Sequence, residues 1–409
     1  MKLANDAVRL AVGHVFIGGF SFLIVSVGAR TLSASSMAEF SVLWAAVNTI
    51  ALSVLIPIEI YGPKLRAELL RIEQNIGSLK SLISKMGIEA GALTISLLLI
   101  AHVLHVFTAT FIGVIGYITY VIGLCIYGVR KAQAIAIGDF RTNMKLSVVL
   151  FLTGLMGLLV YLQIDPSDGG WLFVVAGIAN LSALLFMRIN RYQIEESHQK
   201  NEVLKRVKLR FHIRHLWVGS FLSLVLSNGA VSVGLRVGVA PHLLVAYSAS
   251  LNFVLVATTI LNTVSMPILR EAVDLISSSQ RQKLLQLMKK ALTGFLIAIL
   301  SLCFIFPLIG NKLLNLYIGD QYSLSTMQIL VIAVSEGLAT MTVLPRIFLL
   351  ALGKTESITK IWSYGAAIFL LVLFLPLEPL FRISIAPGTA GIAIIAVSSF
   401  KIRNEIKKF

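Results

Sequence analysis

The sequence predicts an all-α polytopic membrane protein, with about twelve transmembrane helices arranged as two parallel-repeat six-helix bundles around a central cavity. Its 409 residues are 57% hydrophobic and only 13% charged, whereas soluble domains carry roughly 25% charged residues. The apolar residues form long runs instead of the apolar and polar alternation of a membrane β-barrel. Two distant stretches also share one pattern of residues. Together these observations favour a duplicated helical bundle.

The shared pattern occurs twice, about 206 positions apart. Its first copy comprises Ser26–Arg30, Phe40–Ser41 and Pro63–Arg66, and its second copy comprises Ser232–Arg236, Tyr247–Ser248 and Pro267–Arg270. A weaker echo pairs Lys131 and Gly138 with Arg346 and Gly353, seven positions apart in each half. Order and spacing both survive, so we interpret the pattern as an internal duplication.

Apolar runs long enough to cross a bilayer divide the chain into spans. They predict spans at residues 10–29, 40–61, 87–107, 109–129, 147–163, 171–188, 217–235, 243–265, 291–310, 326–350, 361–377 and 386–400. The predicted domains are an N-terminal six-helix bundle at 1–189, a basic cytoplasmic linker at 190–216 and a C-terminal six-helix bundle at 217–409. With the N-terminus inside, 30 of the 35 lysines and arginines lie in inner segments, which predicts that both termini are cytoplasmic.

The net charge of +16 lies between the spans on one side, a distribution typical of membrane proteins, so no nucleic-acid partner is expected. The basic linker either binds anionic membrane lipids or simply follows the same inside bias.

No phosphate-binding glycine loop, zinc-protease helix or nucleophile elbow is present, and the outer loops are short, so no enzyme is expected. His102 and His105 lie one helical turn apart, but two ligands do not close a metal site.

Four arginines are candidate substrate-binding cations. Arg30 and Arg236 occupy matched positions in the two copies of the repeat, Arg346 lies on span 10 and Arg382 precedes span 12. Parallel halves would bring Arg30 and Arg236 to facing sides of one cleft, where guanidinium groups pair phosphate oxygens. The alternative is that each arginine snorkels to the headgroups at a span end.

Glu336 is the candidate coupling residue, because it lies near the middle of span 10. A mid-bilayer acid costs about 2.5–3.5 kcal/mol on insertion scales, so it should face a partner or a water-filled cavity. One hypothesis is proton coupling. The other is a structural ion pair with Arg346 or with an arginine of a neighbouring span.

Several segments resemble the O-antigen and polysaccharide flippases of the multidrug/oligosaccharidyl-lipid/polysaccharide exporter superfamily. They are Ala29–Leu32, Pro63–Arg66, Arg130–Phe140, Leu316–Tyr322 and Ala386–Ala393. The resemblance implies two bundles that rock about a cationic cavity and flip an undecaprenyl-diphosphate-linked oligosaccharide to the outer leaflet of a bacterial inner membrane. It implies coupling to H+ or Na+ without another cofactor, and a polysaccharide polymerase as partner.

The alternative function is a cation-coupled multidrug exporter of the same fold. Such an exporter would be expected to line its cavity with carboxylates, and Glu336 is the one mid-span acid in the sequence. The excess of cations therefore favours an anionic, lipid-linked substrate.

Overall fold

The structure is a computed structural model, and it describes residues 2–70, 83–85, 87–89, 91–96, 99, 110–137, 139–164, 168–182, 184 and 202–407. Its named helices in the first half are α1 (Lys2–Thr31), α2 (Ala34–Leu70), α3 (Phe111–Ile137), α4 (Phe140–Ile164) and α5 (Gly170–Ser182). Those in the second half are α6 (Glu202–Gly234), α7 (Pro241–Ser277), α8 (Arg281–Ile318), α9 (Thr326–Met341), α10 (Val343–Ala351), α11 (Thr355–Leu373) and α12 (Pro379–Ile406).

The helices confirm the predicted all-α membrane class. Within the described residues, eight helical stretches are long and apolar enough to cross a bilayer, and α5 is a shorter apolar helix. The predicted third span is described only as short helical pieces between residues 83 and 99. The tenth span consists of α9 and α10, which are separate helices that meet at Thr342.

Several helices extend beyond the apolar runs that predicted them. Pro63–Arg66 and Pro267–Arg270 lie beyond the predicted spans 40–61 and 243–265, but α2 continues to Leu70 and α7 continues to Ser277. The two copies of the motif therefore occupy equivalent helical positions. Hydropathy marks only the bilayer-spanning part of a helix, which explains why the apolar runs end too early.

The chain divides into two compact units, Met1–Ile213 and Arg214–Phe409. The boundary falls inside the predicted linker at 190–216. The linker prediction needs one change, because α6 begins at Glu202 and the last part of the linker is helical. No proline or glycine interrupts residues 202–218, so nothing in the sequence stops the helix before the apolar run.

In the first unit, α3 and α5 cross at glycines. A Cβ built on Gly177 would lie 2.7 Å from the carbonyl carbon of Thr119, and one built on Gly123 would lie 2.6 Å from the carbonyl oxygen of Gly177. The backbones are therefore too close for any side chain at these positions. This explains a pattern of small residues in an apolar segment that hydropathy alone cannot interpret.

We expect Gly177→Ala to destabilise the N-terminal unit by about 1–3 kcal/mol, because the added methyl group meets backbone atoms that cannot rotate away. The matched control is Gly18→Ala on α1, where a Cβ has no atom within 4 Å and alanine is the better helix former. Thermal unfolding in one detergent measures both. A midpoint for Gly177→Ala equal to that of Gly18→Ala would contradict the close approach.

The packing inside each unit follows the pattern of the proposed repeat. Gly28 on α1 contacts Met37 at the start of α2, and Gly234, 206 positions later, contacts Leu244 at the start of α7. Gly13 approaches Ser147 on the fifth span of its unit, and Gly219 approaches Ile358 on the fifth span of the other. The same pairs of helices therefore meet through the same kind of residue in both units.

Candidate functional site

The candidate site lies inside the C-terminal unit, where α7, α9 and α12 pack around Glu336. Glu336 is only 5% exposed and lies in the middle of α9. A capping box fixes the start of α9: the Ser325 hydroxyl accepts from the amide of Gln328, and the Gln328 side chain accepts from the amide of Ser325. Because α9 begins at Thr326, Glu336 lies about three turns into the helix.

Pro387 leaves one backbone carbonyl of α12 without its helical hydrogen bond, and this carbonyl is part of the site. Pro387 lies inside α12 and has no N–H, so the carbonyl of Ile383, four residues earlier, lacks its usual helical donor. The hydroxyl of Tyr247, a fully buried residue of α7, donates to that carbonyl at 3.2 Å. An unpaired buried carbonyl would cost about 1–3 kcal/mol, so this bond stabilises the interrupted helix.

The residue after the proline joins α12 to α9. The amide of Gly388 donates to the hydroxyl oxygen of Ser335 at 2.8 Å. A Cβ on Gly388 would lie 2.7 Å from the Cα of Ser335, and one on Gly391 would lie 2.8 Å from the carbonyl oxygen of Leu338. The glycines of the Ala386–Ala393 motif therefore allow the two backbones to approach beside Glu336.

The carboxyl of Glu336 lies beside the hydroxyl of Tyr247. Its oxygen Oε1 is buried and has no hydrogen-bond partner among the described residues. A buried carboxyl held by one hydroxyl can accept or release a proton, whereas an ion pair would keep it charged. The site therefore has the chemistry of a proton carrier.

The predicted ion pair between Glu336 and Arg346 is not present. Arg346, on α10, donates from Nη2 to the hydroxyl of Ser220 on α6 at 2.7 Å. Ten residues separate Glu336 and Arg346, and this separation corresponds to about 15 Å along a helix, beyond the reach of a salt bridge. The structural alternative for Glu336 is therefore wrong for this partner. Arg346 remains a predicted substrate-binding residue.

Arg30 and Arg236 lie at equivalent places in their own units. Arg30 is in the last turn of α1, and Arg236 follows the end of α6 by two residues. Both side chains are exposed, and each follows a buried glycine by two residues. A substrate contact by these arginines remains a prediction.

The guanidinium of Arg382 binds backbone carbonyls. Nη1 donates to Leu373 at 3.1 Å and to Leu375 at 3.4 Å, and Nη2 donates to Val237 at 2.9 Å. These bonds join α12 to the end of α11 and to the turn after α6. The observed geometry is that of a structural brace. The predicted contact of Arg382 with substrate would compete with these bonds.

No group of three possible metal ligands occurs within the described part of the chain. His102 and His105 lie outside the described residues. The sequence singled out Glu336 but did not reveal Tyr247 beside it or the bond from Tyr247 to Ile383. A proline inside an apolar span was the available signal, because it predicts a carbonyl that needs another donor.

No protein-family model matches the sequence, and no curated protein matches it. Solved structures do match. An inward-facing multidrug resistance MATE family transporter of the MOP superfamily has a TM-score of 0.69 at 13% identity, covering 98% of this chain and 99% of that one. A MOP superfamily transporter from Pyrococcus furiosus has a TM-score of 0.70 at 12% identity, with 98% and 95% covered. The Vibrio cholerae MATE transporter VcmN in its bent form has a TM-score of 0.66 at 15% identity, with 98% and 97% covered. The chain thus has the fold of MOP-superfamily transporters.

Proposed function

We propose that the protein is a secondary transporter that works by alternating access and is driven by proton movement at Glu336. The observation that carries the proposal is the buried carboxyl of Glu336, which one tyrosine hydroxyl holds in the middle of a membrane-spanning helix. The fold supports it, because its structural neighbours include transporters described as inward-facing and outward-facing. Transport by alternating access requires a fold that adopts both states.

For the substrate we propose small organic cations, exported across the cytoplasmic membrane of a bacterium with both termini inside. Neighbours of this fold are described as multidrug resistance transporters. A buried carboxyl that can gain and lose a proton is also the group that a proton-coupled exporter needs. This proposal reverses the preference drawn from the sequence, where the excess of cations favoured a lipid-linked anion.

A second candidate, a flippase for lipid-linked oligosaccharides, rests on a different observation. Arg30 and Arg236 are exposed arginines at equivalent positions of the repeat, as a diphosphate site would require. The neighbour from Pyrococcus furiosus is described as having a binding pocket of reversed polarity that suggests a different function. The polarity of the substrate site therefore varies within this fold.

The test is uptake by proteoliposomes that contain the purified full chain. We expect a fluorescent organic cation, such as ethidium, to accumulate when the lumen is acidic and to stop accumulating when an ionophore collapses the proton gradient. Empty liposomes with the same gradient are the control. Gradient-independent ethidium movement would contradict proton-driven export. Flipping of a fluorescent polyprenyl-diphosphate sugar, without ethidium uptake, would favour the second candidate.

The paired arginines separate the two candidates. We expect Arg30→Lys and Arg236→Lys to leave ethidium uptake within about twofold of the native value, because lysine also keeps its charge at the headgroups. A diphosphate site would lose the bidentate fork, and flipping in each variant should then fall by roughly tenfold. Uptake and flipping are measured at matched protein content. A large loss of ethidium uptake in either lysine variant would contradict the headgroup interpretation.

A further inference from the structure

Three groups lie together in the C-terminal unit and form one polar network. The hydroxyl of Tyr247 donates to the carbonyl of Ile383 at 3.2 Å, and the carboxyl of Glu336 lies beside the same hydroxyl. Ile383 needs this donor because Pro387 cannot supply one. This network therefore connects an ionisable group on α9 to the interrupted hydrogen bond of α12 through a side chain of α7.

The Tyr247 hydroxyl has two acceptors within reach and one hydrogen to donate. A backbone carbonyl can only accept, and so can an ionised carboxyl, whereas a protonated carboxyl carries a hydrogen of its own. The bond from Tyr247 to the Ile383 carbonyl is therefore free of competition only when Glu336 is protonated.

Building on the coupling role given to Glu336, we propose that its proton sets the kink of α12 at Pro387, with Tyr247 transmitting the change. When Glu336 loses its proton it can only accept, and a carboxylate is a stronger acceptor than an amide carbonyl. The Tyr247 hydroxyl then turns to Glu336 and leaves the Ile383 carbonyl without a donor. The backbone at Pro387 rearranges so that this carbonyl finds another partner, and α12 changes its bend.

Other ionisable groups do not compete for Glu336 within the described residues. From α8, Cys303 approaches the neighbouring Gly337, but a thiol is a weak donor. The guanidinium of Arg382 on α12 binds backbone carbonyls, and that of Arg346 on α10 binds Ser220. Tyr247 is the group from α7.

The kink can be measured with two spin labels inside the C-terminal unit. Suitable sites are Leu292 on α8 and Phe400 on α12, which are both exposed, in a full chain whose native cysteines are replaced by alanine. A change of about 20° at Pro387 would move Phe400, about 20 Å along the helix, by about 7 Å. We expect the distance in nanodiscs to shift by at least about 3 Å between about pH 5 and about pH 9, a range that titrates buried carboxyls.

Three variants test whether the distance shift arises from Glu336, Tyr247 and Pro387. Glu336→Gln should keep the low-pH distance at every pH, because the amide remains a donor. Tyr247→Phe should abolish the shift. Pro387→Ala should also abolish it, because the introduced alanine supplies the N–H that Ile383 lacks. If Tyr247→Phe alone does not fold, the double variant with Pro387→Ala should fold, since it no longer needs the hydroxyl. Tyr364→Phe, at an exposed tyrosine of α11, is the control and should shift like the native chain.

A pH-independent distance in the native chain, or an unchanged shift in Tyr247→Phe, would overturn the proposal. A distance that follows Na+ at constant pH would overturn the assignment to a proton. The same samples separate this inference from the transport function. A shift that depends on Glu336 in a protein without proton-driven ethidium uptake would reject the function and keep the switch. Uptake that depends on Glu336 with a fixed distance would reject the switch and keep the function.

Discussion

Glu336→Gln is expected to uncouple transport from the proton gradient and to lower gradient-driven ethidium accumulation by roughly tenfold or more, a size typical of coupling between two ligands. The substitution removes the ionisable proton but keeps the size and hydrogen-bonding capacity of the side chain. Because the carboxyl is buried among apolar helices, no nearby acid can replace it within the described part of the unit. Folding should be retained, since glutamine resembles the neutral carboxyl.

The matched control is Glu356→Gln on α11, where an exposed carboxylate pairs with Lys360 four residues later. Exposed helical ion pairs contribute about 0.3–0.5 kcal/mol, so this variant should transport like the native chain. Initial uptake rates over a range of lumenal pH give the measurement. If Glu336→Gln retained full, pH-dependent accumulation, the coupling role would have to be abandoned. Loss of ethidium exchange between equilibrated compartments would instead indicate that Gln damages the substrate path.

The fold could be predicted from the sequence to a large extent because two independent signals agree. Apolar runs report which segments enter the bilayer, and the matched positions of Gly28 and Gly234 report which helices are equivalent. The helix ends were less predictable. Their polar extensions, such as the start of α6 at Glu202, leave the bilayer and carry no hydropathy signal.

The site was predictable only as far as single residues reveal it. Glu336 is conspicuous because an acid in an apolar run is costly, but its partners depend on which helix faces meet. Tyr247 and Ile383 are 136 positions apart, and nothing local to either residue indicates the bond between them. The duplication gives no help here, since Phe40 stands at the position equivalent to Tyr247 and has no hydroxyl. The proposed proton site therefore belongs to one copy of the repeat.

Arg382→Ala is the second change with a large expected effect, a destabilisation of about 2–4 kcal/mol. Its guanidinium donates to carbonyls at the end of α11 and to Val237 after α6, and all of these acceptors would lose a charged donor. Arg382→Lys should recover less than half of the loss. One ammonium group cannot reproduce a planar fork that reaches carbonyls on two separate segments.

Thermal unfolding of purified variants measures this effect. The control is Arg403→Ala, at an exposed arginine near the other end of α12. Its free energy of unfolding should change by no more than about 0.5 kcal/mol. Ethidium uptake per folded molecule distinguishes the brace from a substrate contact. A brace loses stability while each folded molecule of Arg382→Ala still transports, because both terminal nitrogens of the guanidinium already donate to the backbone. Native stability combined with abolished transport in Arg382→Ala would show instead that the arginine acts on substrate, and the carbonyl bonds would then be a resting position that the side chain leaves during transport.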